Sequence, residues 1–171
     1  MPWTLLLSAL LFGADTPPSA VRVAGVILKW VPGEREQNFQ RAAALIREAA
    51  AAGAQIVCTT ESFLDGYSIR NKEMPLADYM ALAEPIPDGD YVQRLASLSK
   101  ELHIHLVAGL LEREGERCYN TALLFGPNGE ILGKYRKHEL GHELVRNTPG
   151  SDYPAFDTPF GKIGIMICAD R

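Results

Sequence analysis

The sequence predicts an α/β domain, a mixed β-sheet covered by helices. Three observations predict it. Residues 21–59 read strand, helix, strand, which makes a βαβ unit with a right-handed crossover. Pro127-Asn128-Gly129 lies between two apolar runs and signals an antiparallel hairpin. KIGIMIC (162–168) has the continuous apolar character of a strand buried on both sides, so both faces of the sheet need cover.

Taken in order, Val21–Trp30 (VRVAGVILKW) is rich in β-branched residues and reads as a buried strand, ended by Pro32 and Gly33. Glu34–Ala52 places Phe39, Ala42, Ala43, Ile46, Ala49 and Ala50 on one helical face. Glu34 and Glu36 suit the positive end of that helix, and Gly53 suits its C-terminal cap. Gln55–Thr59 is the second strand. Glu61–Pro87 is irregular, with one helical turn near Leu76–Ala83. Asp88–His103 carries Tyr91, Leu95, Leu98 and Leu102 at helical spacing and reads as a helix capped by an Asp. Strands follow at Ile104–Leu111, Arg117–Phe125 and Glu130–Tyr135. Lys137–Tyr153 is a polar loop. Short strands at Ala155–Asp157 and Lys162–Cys168 flank a turn at Pro159–Gly161.

The chain has 171 residues, of which 47% are apolar and 22% charged, the balance of an ordinary globular domain. With 17 basic and 21 acidic residues its formal charge is −4, which lacks the basic excess of a nucleic-acid binder. No apolar stretch reaches the ~18 residues of a membrane span. Residues 1–20 (MPWTLLLSALLFGADTPPSA) have the apolar run of a signal peptide but no Lys or Arg before it. They are expected to be a signal peptide or leader ahead of a domain at 21–171. The protein would be exported or periplasmic if the leader is cleaved, and cytoplasmic otherwise.

Three reactive side chains stand at the ends of apolar strands: Glu61 after QIVCTT, Lys137 after EILGKYR, and Cys168 at the end of KIGIMIC. Ligands of α/β sheets collect at the carboxyl ends of parallel strands. A carboxylate, an ammonium and a thiol meeting there could hydrolyse an acyl compound. The carboxylate would take the thiol proton, the thiolate would attack, and the ammonium would hold the oxyanion. Taken singly, each residue has a plainer reading, as a buried small thiol or a solvated charge. Cys58 and Cys118 lie inside strands and read as structural. His103, His105, His138 and His142 lack a partner set at metal-ligand spacing, so neither a metal nor another cofactor is expected. Gly161-Lys162-Ile163-Gly164 has too few glycines for a phosphate loop.

The three segments in this order, TTESFLDGY, KYRKHEL and GKIGIMICADR, together with the strand Cys118-Tyr119-Asn120-Thr121-Ala122, resemble the nitrilase (carbon–nitrogen hydrolase) superfamily. The resemblance runs from about Val21 to Arg171. It implies a nitrilase-like αββα sandwich, of which this chain would be the N-terminal portion, ending just past the nucleophile strand and leaving apolar sheet surface uncovered. It implies Glu61 as general base, Lys137 as oxyanion stabiliser, Cys168 as nucleophile, and the Ala169 N–H as second oxyanion donor. A further carboxylate before a Pro-Gly pair is expected to orient Lys137 or the substrate. Glu143, six residues before Pro149-Gly150, fits that slot ahead of Glu139. Tyr135 and Arg136 are expected to be structural, Arg136 pairing a sheet-edge carboxylate, with Asp170 and Arg171 as an ion pair. The loop KHELGHELVRNTPG is shorter than the commoner family version, and the pocket is expected to differ accordingly. The resemblance implies hydrolysis of a small-molecule amide or N-carbamoyl amine by water through a thioester, in a homo-oligomer paired through sheet-covering helices. The rival readings are nitrile hydrolysis at the same site, an inactive fragment acting only through a binding partner, and a non-enzymatic α/β binding domain.

Overall fold

The computed structural model of the chain describes residues 20–171. The leader expected at 1–20 falls almost entirely outside the described residues. The main sheet contains β1 (Val23–Val26), β2 (Ile56–Thr59), β3 (Glu84–Pro85), β4 (His105–Glu114), β5 (Arg117–Phe125) and β6 (Ile131–Arg136). Their order is β1-β2-β4-β5-β6, with the two-residue β3 beside the far end of β4. β1, β2 and β4 are parallel, and β5 runs antiparallel to both β4 and β6. β6 therefore points the same way as β1, β2 and β4. β7 (Ala155–Thr158) and β8 (Gly161–Gly164) form a separate hairpin. The helices are α1 (Arg35–Ala51), α2 (Leu76–Ala81) and α3 (Asp90–Leu102).

Side-chain alternation divides the sheet into two faces. On one face Val57, Leu106, Ala108, Leu110, Leu123 and Phe125 pack beneath Phe39, Ala42 and Ile46 of α1 and Val92, Leu95 and Leu98 of α3. On the other, Val107, Ala122 and Tyr135 meet Ile165 and Ile167, and Leu111 and Cys118 lie against Ile69, Tyr79 and Ala83 from the irregular segment. The mixed sheet, its parallel start and its later hairpin match the sequence expectation. The Pro127-Asn128-Gly129 turn closes through a Gly129 N–H to Gly126 O hydrogen bond of 3.0 Å.

Several expected boundaries shift. The strand expected over Val21–Trp30 is paired only from Val23 to Val26. The helix expected to be capped by Asp88 has its N-cap one residue later, at Gly89. A side chain there would collide with Glu84 and Pro85, and Glu84 itself accepts the Tyr91 N–H at 2.9 Å. KIGIMIC is not one doubly buried strand. Its ladder stops at Gly164, opposite Ala155, where Pro154 on the partner segment offers no N–H to continue it. Beyond that point Ile165 and Ile167 pack inward while Met166 is exposed. The segment expected as a polar loop, 137–153, contains a 3-10 turn at Gly141–Val145.

Candidate active site

Glu61 stands two residues beyond the C-terminal end of β2, and Lys137 directly follows β6. These strands point the same way, so both side chains emerge at one end of the sheet. Gly109 of β4 permits this approach: a Cβ there would lie 2.8 Å from Thr60 O and 2.9 Å from Ser62 N. Asn38, fully buried in α1, fixes the neighbouring loops by donating to Val31 O at 2.8 Å and Leu64 O at 3.1 Å, and by accepting the Val31 N–H.

Lys137 Nζ donates to Glu61 Oε1 and to Glu143 Oε1, both at 2.7 Å. Glu143 comes from the 3-10 turn, whose downstream segment is drawn back over β6 by a Gly150 N–H to Lys137 O bond of 2.9 Å. Gly150 lies too close to Arg136 O to admit a side chain, which explains the Pro-Gly pair at this point. Burial works against the Lys137 charge, but the hydrogen bonds to Glu143 and Glu61 more than offset it and hold the ammonium above its ordinary pKa.

The two carboxylates differ in their partners. Glu143 accepts from Lys137, from Tyr67 Oη at 3.1 Å, from Asn120 Nδ2 at 3.0 Å and from Asn147 Nδ2 at 3.1 Å. Glu61 accepts from Lys137 and from Asn120 Nδ2 at 2.8 Å, all on Oε1. Among the described residues its Oε2 has no donor.

Cys168 is exposed and has a left-handed backbone, φ +50°, a conformation strained for a residue with a side chain. Asp170 pins this turn: its carboxylate accepts the N–H groups of Ile167, His138 and Glu139 and the Tyr135 hydroxyl. Burial opposes the Asp170 charge, yet these four donors hold its carboxyl below the usual range. The ion pair expected between Asp170 and Arg171 does not form among the described residues. Arg136 pairs with Glu112, which is not at a sheet edge as expected but buried on β4 between β3 and β5, and Lys134 and Thr121 join it there.

A cleft of about 430 Å³ on the sheet face away from α1 and α3 brings Cys168 and Glu61 to one wall system, with Cys58, Val107, Ala122 and Ile165. Glu61, Lys137 and Glu143 thus form one bonded cluster. Cys168 joins it through the shared cleft rather than through a hydrogen bond among the described residues. Ala169 follows it on the exposed turn. Sequence reading gave no role to Asn120, Tyr67 or Asn147. The only available signal was the Asn of the strand motif at 118–122.

The sequence model of the carbon-nitrogen hydrolase family matches residues 22–171. The chain belongs to this family. Nitrilase 3 of Arabidopsis thaliana is 37% identical over 171 residues, covering 91% of this chain and 49% of that protein. Omega-amidase NIT2 of Bos taurus is 37% identical over 147 residues, covering 80% and 50%. The crystal structure of Saccharomyces cerevisiae Nit3, described as a member of branch 10 of the nitrilase superfamily, superposes with a TM-score of 0.77 at 30% identity, covering 88% of this chain and 56% of that one. The carbon-nitrogen hydrolase chain described here spans about half the length of the curated relatives it matches.

Proposed function

We propose that this chain carries the reacting groups of a cysteine-dependent hydrolase of non-peptide C–N bonds, acting on a small amide or N-carbamoyl amine. The observation that carries the reading is the Lys137 ammonium, bonded to Glu61, whose side chain lines the cleft that holds Cys168.

Glu61 is the general base, because its Oε2 has no donor among the described residues and can accept a proton. It takes the Cys168 thiol proton as Sγ bonds to the carbonyl carbon. The carbonyl π electrons move to oxygen, and the oxyanion is held by Lys137 Nζ and the Ala169 N–H. The tetrahedral intermediate collapses, the C–N bond breaks, and protonated Glu61 returns its proton to the departing nitrogen. Water then gives a proton to Glu61 and attacks the thioester carbon, the C–S bond breaks to release the acid, and protonated Glu61 returns its proton to Sγ. Glu143, which accepts from Lys137, Tyr67, Asn120 and Asn147, orients Lys137 throughout.

The relatives named nitrilases support a second reading in which the same thiol adds to a nitrile carbon. The test is ammonia release from aliphatic amides and from nitriles by the full-length protein, beside its Cys168→Ala variant. Amide turnover lost in the variant supports the reading. Turnover of nitriles alone favours the second. Turnover of neither leaves a binding role.

A further inference from the structure

We propose that Asn120 is a positioning residue that couples the two carboxylates to the single ammonium and so sets the proton affinity of the cluster. The inference rests on the reading of Glu61, Lys137 and Cys168 given above and adds a residue to it.

Asn120 lies on β5, facing the cleft side of the sheet, and is 1% exposed. Its Nδ2 donates to Glu61 Oε1 at 2.8 Å and to Glu143 Oε2 at 3.0 Å. Its Oδ1 accepts the Ser62 hydroxyl at 3.4 Å, and its backbone carbonyl accepts the Lys137 N–H at 2.9 Å. Its side chain therefore bridges both carboxylates, and its backbone carbonyl fixes the Lys137 backbone. The amide orientation follows from its neighbours, since only the NH₂ can face two carboxylates and only the oxygen can accept from a hydroxyl.

The chemistry explains why an amide stands here. Glu61, Glu143 and Lys137 carry a net charge of −1 when all are ionised. Two carboxylates facing one ammonium repel each other. A second cation at position 120 would cancel the remaining charge and weaken the carboxylates as proton acceptors. An amide supplies two donors without charge. It satisfies one oxygen on each carboxylate and holds them on Lys137, while the cluster keeps its negative charge for the thiol proton.

Removing those donors favours the protonated form of the carboxylate pair. The test is the rate of Cys168 alkylation by iodoacetamide against pH in the full-length protein, with Cys58 and Cys118 alkylation followed by peptide mapping. The variants are Asn120→Leu, which removes both donors, and Asn120→Asp, which keeps the shape and adds a third carboxylate. Glu61→Gln serves as the reference. The expected result is that both Asn120 variants move the acidic limb of the Cys168 profile up by about one unit, which slows alkylation roughly tenfold at pH values on that limb. Should Asn120→Leu fail to fold, the near-isosteric Asp variant decides. If Glu61→Gln alters the profile and the folded Asn120 variants keep the parental one, the positioning role is overturned while the base assignment stands. If Glu61→Gln leaves the profile unchanged, the base assignment itself falls, and the coupling with it.

Discussion

Lys137 and Glu143, six residues apart in the chain, meet in a 2.7 Å ion pair whose side chains are 3% and 1% exposed. Such a pair persists because the remaining lone pairs are filled, here by Tyr67, Asn120 and Asn147. Removing Glu143 leaves a buried ammonium with Glu61 as its one remaining carboxylate. Glu143→Ala is expected to destabilise the fold by about 3 kcal/mol, read as a lowered denaturant midpoint. Glu143→Gln keeps the shape but releases Lys137 toward Glu61, and turnover should fall ~10²-fold with the fold retained. Parental activity in a folded Gln variant would remove the orienting role.

Glu61 and Lys137 separate by what each variant does to binding and to chemistry. Glu61 sits at the cleft, 22% exposed, so Glu61→Gln is expected to abolish turnover with little change in thermal midpoint. On the proposed mechanism Lys137→Ala removes an oxyanion donor and is expected to lower kcat by ~10²–10³ with a smaller effect on KM. Steady-state kinetics on an amide substrate check both. An unchanged kcat in Lys137→Ala would take Lys137 out of the site.

How much of this was legible in the sequence depends on the range of the contacts involved. Strand β5 matches its expected bounds, Arg117–Phe125, because a run of alternating and apolar residues between turn formers states its own limits. The parallel start and the hairpin were legible for the same reason. Failures cluster where a distant partner decides. The end of β8 at Gly164 is set by where β7 begins, and the start of α3 by Glu84 reaching over Gly89. At the site, Glu61 and Lys137 drew notice as reactive groups at the ends of apolar strands, and Glu143 through the family resemblance of its position before Pro149-Gly150. Asn120 and Tyr67 were passed over because an amide in a strand and a tyrosine in a loop look ordinary until their contacts, 59 and 76 residues away in the chain, are visible.

The Glu112 network lies on the opposite face from the cluster. β6 sends Lys134 and Arg136 to Glu112, while Tyr135 on the same strand packs with Ile167 beside the cleft. Burial opposes the Glu112 charge, but Arg136, Lys134 and Thr121 together hold its carboxyl below the ordinary range. Glu112→Ala would leave two cations facing each other without their buried partner. A loss of about 3–5 kcal/mol is expected, with kcat of the protein that remains folded within a few-fold of the parent. A larger kcat effect at constant fold would mean the two faces are coupled.

Asp65 gives a pH prediction opposite in sign to that of the paired carboxylates. It is buried in the loop after Glu61, where Oδ2 accepts the Ser68 N–H at 2.8 Å and Oδ1 has no partner among the described residues. Burial, reinforced by the charges of Glu143 and Glu61, pushes its carboxyl up to about 7, against 3.8 for a free one. The folded state therefore binds the proton more tightly than the unfolded chain. Stability from this group is greatest below about pH 4 and is lost as pH rises toward 7, because the buried carboxyl must then ionise or the fold must open. Asp65→Asn stays neutral throughout, so its unfolding free energy should lack this decline and exceed the parent's at pH 8. Denaturant midpoints of both proteins at pH 5, 6, 7 and 8 provide the measurement; parallel curves would show that Asp65 is already ionised at pH 5 in the folded protein.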